Sequence, residues 1–279
     1  MTPAGTPAAA LLLHGLCSTP EELLPVQAAL KAAKITVRSV PLPGYSFDPQ
    51  ARRQHASRWQ DWLRDVGAQV KALRAHHSKV VLIGLSAGAS LALGAAMHGK
   101  VDIDGLVLMS TTLRYDGWGI PRHHFLMPLA LYTPLGRFWR YKERAPFGVK
   151  NPRVRTWIER ELQTRRVSRA GAAVIGVDHL REHDRLRREL LRRLGRFACP
   201  PVLALHARED EVASLANVHL LERQLKTRSF RSVVLENSHH MITIDNDRQQ
   251  VARETVTFVQ ALAIEAPCPG EAPHEPAYH

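Results

Sequence analysis

The segment that most constrains this chain is Val80-Val81-Leu82-Ile83, followed at once by Gly84-Leu85-Ser86-Ala87-Gly88 and then by Ala89-Ser90-Leu91-Ala92-Leu93. A short apolar run bounded by glycine reads as a buried strand, and the small, apolar stretch after it reads as a helix. The chain must therefore turn sharply within one pentapeptide, and the small flanks Gly84, Ala87, Gly88 and Ala89 permit that turn. A serine at its apex is held clear of the backbone at a helix N-terminus. That placement, with a base nearby, is what a hydroxyl needs to act as a nucleophile.

An acid and a base stand where such a serine requires them. Pro201-Val202-Leu203-Ala204-Leu205-His206 is a strand-like run that leads into Ala207-Arg208-Glu209-Asp210-Glu211-Val212, and Asp210 is the candidate acid. Ser232-Val233-Val234-Leu235 runs into Glu236-Asn237-Ser238-His239-His240-Met241, a loop that supplies the candidate base. The order Ser86, Asp210, His240 is the chain order of the α/β hydrolases and differs from that of two unrelated protease folds.

Punctuation and period supply the coarse organisation. Ala8 to Leu13 reads as the first strand. Thr19-Pro20-Glu21-Glu22 combines an N-cap residue, a proline at the first helical position and a capping-box glutamate, which predicts a helix from Pro20 to Lys34. Ile35 to Val40 reads as the next strand. Trp59, Trp62, Leu63, Val66, Val70 and Leu73 recur at helical spacing and predict an apolar stripe laid against a sheet. Gly105 to Met109 is a further strand. Arg248 to Ala263 is a final helix with Val251, Thr255, Phe258, Val259 and Leu262 on its buried face. Alternating strands and helices imply an α/β protein with a mainly parallel sheet covered on both faces.

Taken together, these residues resemble the α/β-hydrolase-fold serine hydrolases of the bacterial carboxylesterase and monoacylglycerol-lipase-like group. The resemblance spans roughly residues 8 to 263. It is carried by Leu11-Leu12-Leu13-His14-Gly15-Leu16, Pro41-Leu42-Pro43-Gly44, Trp59-Gln60-Asp61-Trp62, the serine turn, His206 through Val212, and Glu236 to His240. It implies the α/β-hydrolase fold with an inserted cap. The core would comprise residues 1–113 and 179–263, the cap 114–178, and a disordered tail 264–279. It also implies that the backbone N–H groups of Leu16 and Ala87 form the oxyanion hole. His240 aligns with the family base and His239 is the alternative, read as a solvent-facing loop residue. Tyr45 stands where many relatives carry histidine in a Gly-His-Gly turn, which suggests an altered pocket rim.

The segment 114–196 holds 20 Lys and Arg against 8 Asp and Glu, a net of +12, while the rest of the chain balances at 18 against 18. The whole formal charge of +12 therefore sits in the insert and the helix after it. Such a surface could meet an anionic membrane transiently or hold a phosphorylated leaving group such as coenzyme A. A solvated, arginine-rich helix face is the plain alternative. No nucleic-acid partner is expected, because no binding motif accompanies the charge. Phe125 to Tyr132 is an apolar run that could line an acyl groove, pack the insert onto the core, or do both, and Trp118, Trp139, Tyr141 and Trp157 share that ambiguity.

His179-Leu180-Arg181-Glu182-His183 matches H-x-x-E-H, but it lies where a covering helix is needed and no third ligand follows, so no metal is expected. His76-His77 and His123-His124 lack ligand spacing and read as surface residues. Cys17, Cys199 and Cys268 are too few and too odd in number for a disulfide framework. They fit a reducing compartment, with Cys17 a small buried residue. No 18-residue apolar run and no basic leader precede the first strand, so a cytoplasmic protein is expected. The expected activity is hydrolysis of short or medium acyl esters or monoacylglycerols through an acyl-enzyme, with no cofactor. The alternatives are an acyl-CoA thioesterase or acyltransferase using the same residues, and a non-catalytic binding protein on the same scaffold.

Overall fold

A computed structural model describes residues 8–98, 101–134, 136, 139–168 and 170–264. Its centre is a sheet of β1 (Ala8–Leu13), β2 (Thr36–Arg38), β3 (Lys79–Leu85), β4 (Gly105–Met109), β5 (Val202–Ala207) and β6 (Phe230–Leu235). The spatial order is β6-β5-β4-β3-β1-β2, and every neighbouring pair is parallel. The four inner strands are nearly continuous apolar runs because both of their faces are covered, whereas the two edge strands carry exposed or half-buried residues.

Alternate residues feed two cores. Ala9, Leu11 and Leu13 of β1 point to one face with α2 (Trp59–Arg74), α3 (Ala87–His98), α6 (Val177–Arg193) and α7 (Ala216–Gln224). Ala8, Ala10 and Leu12 point to the other, under α1 (Leu24–Ala32) and α8 (Arg248–Ile264). The predicted stripe of α2 is buried at Trp62, Leu63, Val66, Val70 and Leu73, and Trp59 is half-buried beside it. On α8 the buried residues are Val251, Ala252, Thr255, Val259 and Leu262, with Phe258 at the margin.

Two local expectations are corrected. The helix expected over Pro20–Lys34 opens as a 3-10 turn, Pro20–Leu23, before α1, and the Thr19 side chain caps nothing. Glu22 is not a capping-box residue; its carboxylate is drawn inward. The strand expected over 35–40 is only the three residues of β2. Of the disordered tail expected over 264–279, Ile264 is instead the last residue of α8, and the remainder lies outside the described residues.

Strand register decides where chemistry can happen. Leu13 pairs with Gly84, Leu85 with Met109, and Ala207 with Leu235, so these strands end side by side. The residues that follow them, His14, Ser86, Ser110 and Arg208 onward, therefore gather at the C-terminal edge of the sheet. Between β4 and α6 the chain forms a 3-10 turn Arg122–Leu126, α4 (Met127–Tyr132), an antiparallel ribbon of Arg140–Lys142 with Val174–Gly176, and α5 (Pro152–Thr164), whose N-cap Asn151 accepts from the N–H groups of Arg153 and Val154. No helix among the described residues is long and apolar enough to cross a membrane.

Candidate active site

Ser86 follows β3 directly and adopts φ 57°, a left-handed conformation that disfavours a side chain. The turn is held by the Ser86 N–H donating to the Met109 carbonyl at 2.8 Å and by the Ala89 N–H donating back to the Ser86 carbonyl at 3.1 Å. Both flanking glycines are required by close approach. A Cβ on Gly84 would lie 2.2 Å from the Gly88 carbonyl oxygen, and one on Gly88 would lie 2.2 Å from that of Leu13. The strained serine is thus locked between two strands and the first turn of α3.

His240 Nε2 lies 2.8 Å from Ser86 Oγ, and its Nδ1 lies 2.8 and 2.9 Å from the two Asp210 carboxylate oxygens. Asp210 Oδ1 also accepts the N–H groups of Val212 and Ala213 at 2.8 and 2.9 Å. Beneath it, the His206 ring donates to the Ala213 carbonyl and sits 3.3 Å from Asp210 Oδ2. Burial pushes the Asp210 carboxyl up, but the charge and hydrogen bond of His240, with His206 and the Ala213 N–H, hold it below its ordinary value. Burial likewise opposes charge on His240, and Asp210, Glu211 and Glu143 together raise it above 6.5. With Nδ1–H committed to Asp210, Nε2 is free to accept a proton from Ser86.

Leu16 and Ala87 both line the cavity that opens onto Ser86. Neither N–H is taken by a hydrogen bond among the described residues, and Ala87 opens α3, where the partial positive end of the helix lies. The loop bearing Leu16 is strapped down from two sides. His14 is buried, and burial lowers it to about 4, so it is neutral. Its Nδ1–H donates to the Gly15 carbonyl at 2.7 Å and its Nε2 accepts the Ser46 hydroxyl at 2.6 Å. Tyr45 adds a hydroxyl bond to the His14 carbonyl at 2.7 Å. On the other side Glu22, only 1% exposed, accepts the Gly15 N–H and the Ser18 hydroxyl. Burial lifts Glu22 to about 7 against those two hydrogen bonds.

Reading the sequence missed several residues that hold this arrangement. Ser110 donates its hydroxyl to the His240 carbonyl at 2.7 Å, and Glu211 accepts the His240 N–H at 3.1 Å, so His240 is gripped by its backbone at both ends. Asp245 accepts the His239 N–H and, from across the molecule, those of Lys150 and Asn151, tying the loop of His239 and His240 to the segment before α5. Ser110 had a signal, since small polar residues follow β4. Glu211 and Asp245 had none, because acids near Asp210 and His240 are unremarkable in a surface loop.

The cavity has a volume of about 370 Å³ and is mostly apolar, with Ile120, Leu126, Met127, Phe147, Ile175 and Met241 in its wall. It also contains three carboxyl groups, Glu22, Glu143 and Glu211, and among its described lining residues neither lysine nor arginine. Burial raises Glu143 to about 7, with repulsion from Glu211 adding to it, and burial raises Glu211 as well.

Other candidates find different places. His239 is buried rather than solvent-facing, its ring set edge-on to Trp118 at 5.5 Å, and it does not reach Ser86. Tyr45 is buried between His14 and Trp62 and is no part of the pocket rim. Of the H-x-x-E-H residues, His179 bonds Asp178 within α6, while Glu182 accepts the Trp59 N–H and His183 meets the Tyr115 hydroxyl at 2.7 Å, so the last two tie the helix to two other segments. His123 and His124 are exposed but border the cavity. In the Phe125–Tyr132 run, Leu126, Met127 and Ala130 line the cavity, Leu131 is buried, and Phe125 faces outward at 70% exposure. Trp118 is likewise exposed, whereas Trp157 packs against the core. Cys17 is a buried free thiol that burial pushes up, as is Cys199, and Cys268 lies outside the described residues.

Residues 10–254 match the model of a family described as "Alpha/beta hydrolase family". A thermostable monoacylglycerol lipase of Bacillus sp. (strain H-257) is 25% identical over 252 residues, 90% of each chain. Among solved structures, a monoacylglycerol lipase of Paleococcus ferrophilus superposes with a TM-score of 0.74 at 18% identity, covering 91% of this chain and 94% of its own. A soluble variant of the Saccharomyces cerevisiae monoglyceride lipase, bound to a substrate analogue, gives 0.76 at 13% identity, covering 93% and 88%. At these identities the solved structures speak to the fold alone.

Proposed function

The chain belongs to the alpha/beta hydrolase family, and from that premise we propose that it hydrolyses neutral carboxylic esters, of short or medium acyl chain or monoacylglycerols, through an acyl-enzyme on Ser86. The observation that carries this reading is the unbroken relay from Ser86 Oγ through the His240 ring to Asp210, opening into an apolar cavity. The Bacillus relative acts on monoacylglycerols by its name, which supports that substrate class.

Ser86 Oγ attacks the ester carbonyl carbon as its proton passes to His240 Nε2, while Asp210 keeps the ring oriented and offsets the imidazolium charge. The N–H groups of Leu16 and Ala87 receive the oxyanion, each contributing roughly 3–4 kcal/mol. Collapse of the tetrahedral intermediate breaks the bond to the alcohol oxygen, which takes the proton from His240 and leaves. Water then attacks the acyl-enzyme carbonyl, giving its proton to His240. The second collapse returns that proton to Ser86 Oγ and frees the acid. Residues 114–178 act as a cap that supplies the apolar wall and keeps bulk water from the acyl chain. The three carboxyl groups favour departure of an anionic product and disfavour anionic substrates.

The test is intact mass after exposure to a fluorophosphonate, with p-nitrophenyl butyrate turnover in the same samples. One adduct on the wild type, none on Ser86→Ala, and turnover lost in both Ser86→Ala and His240→Ala is the expected result. A folded wild type with neither adduct nor turnover would overturn the reading and favour a binding role.

A further inference from the structure

A second cavity, of about 520 Å³, lies on the other side of Trp139, which lines both. Its size is that of a small-molecule site, roughly 300–1,000 Å³. Among the described residues, five arginines line it: Arg52 and Arg53 from the loop after β2, Arg140 from the ribbon, Arg166 after α5, and Arg181 from α6. None of the five forms an ion pair with a carboxylate among the described residues.

Asp178 is the one carboxylate among the described lining residues, and its oxygens are engaged elsewhere: Oδ2 accepts the Ala56 N–H at 3.1 Å and Oδ1 lies 3.3 Å from the His179 ring. The walls are also organised in advance. Arg166 donates to the carbonyls of Ala51 and Pro49, both at 3.0 Å, and its guanidinium sits 5.5 Å over the Phe47 ring. This holds the loop of Arg52 and Arg53 against the insertion. Arg181 is anchored by its Nε–H to the Leu131 carbonyl, which leaves its two terminal nitrogens for another partner. Cations drawn from four separate stretches of chain into one concavity repel one another, and an anion there relieves that repulsion.

We propose that this arginine-lined cleft binds a phosphate-bearing group. The guanidinium fork matches phosphate oxygens bidentately, and several forks converging on one concavity suit a multiply charged oxyanion better than a single carboxylate. The phosphate comes either from a soluble phosphorylated molecule or from an anionic lipid headgroup. The inference goes beyond ester hydrolysis and does not depend on it, since no cleft arginine lines the cavity at Ser86.

The experiment uses the full chain carrying Ser86→Ala, so that nothing is turned over. Pyrophosphate binding is followed by calorimetry, and co-sedimentation is followed with phosphatidylcholine vesicles with and without phosphatidylglycerol. The cleft variant Arg53→Glu with Arg140→Glu changes two exposed side chains. A control, Lys31→Glu with Arg223→Glu, makes the same charge change elsewhere on the surface. Pyrophosphate binding that weakens at least roughly tenfold in the cleft variant and not in the control supports the proposal with a soluble source. Binding seen only with phosphatidylglycerol vesicles, and lost only in the cleft variant, supports it with a lipid source. No binding to either probe, or equal losses in variant and control, overturns it. Restoring Ser86 and finding ordinary butyrate turnover in the cleft variant shows that the loss is not misfolding.

Discussion

Two cavities share the Trp139 side chain and have opposite electrical character. The one at Ser86 is apolar with three carboxyl groups, and the one beyond Trp139 is lined by five arginines. A formal charge of +12 describes neither. What matters is which charges the fold turns into a given concavity, because a buried or half-enclosed group acts over a few ångströms in a medium that screens it poorly. The acidic cavity suits a neutral ester that yields an anionic acid, and the basic one suits a phosphate.

The contrast can be broken most sharply by separating the two activities. Ser86→Ala should lower turnover by about 10⁴-fold or more and leave pyrophosphate affinity unchanged. A loss of both would mean that the cavities are one site. Kinetics and calorimetry on the same preparation decide it.

A smaller effect is expected from Glu22→Gln. It keeps the shape but weakens the charge-assisted hold on Gly15, so kcat should fall roughly tenfold with KM little changed. The stability effect has the other sign. Glu22 is raised by burial from 4.5 to about 7 in the folded protein, so folding takes up a proton across that window and the wild type loses stability as pH rises through it. Thermal unfolding at about pH 5 and about pH 8 should show Glu22→Gln gaining on the wild type at the higher pH, by at most about 3 kcal/mol.

The acidic wall should also be visible in the pH profile. Only neutral His240 can take the Ser86 proton, and its value is raised, so kcat/KM should climb with pH through a limb above 6.5. Glu211→Gln and Glu143→Gln each remove a negative charge that supports the imidazolium. Each should move that limb to lower pH by roughly half a unit. An unmoved limb in both variants would mean that these acids do not act on His240. Smallest of all, raising salt from about 0.05 to about 0.5 M should change turnover of a neutral ester by less than about twofold, while weakening binding in the arginine cleft.

Much of the fold was legible because its signals are local. The run Val80 to Ile83, the stripe on α2 and the buried face of α8 each express a single period, and the strict needs of a serine turn leave few residues that fit Gly84 to Gly88. The order of Ser86, Asp210 and His240 was legible for the same reason, each lying just after a strand. Glu22 shows where such reading fails. It satisfied a capping-box pattern, yet its carboxylate instead meets Gly15 and Ser18 in the loop before it, because an unpaired N–H beneath the sheet edge is a stronger demand than a helix end in solvent. Tyr45 fails differently: a position that suggested a pocket rim fills the space between His14 and Trp62.

The amino-acid sequence by itself determined the α/β alternation, the serine turn and the residues that could serve as acid and base, since these depend on neighbours a few positions away. Only the tertiary structure decided that His240 and not His239 faces Ser86, that Glu211 and Ser110 grip it, and that Arg52 and Arg181 line one cleft. Those choices depend on strand register and on packing between residues as many as 154 positions apart, as Ser86 and His240 are. Distance in space is set by the whole core at once, and no local pattern encodes it.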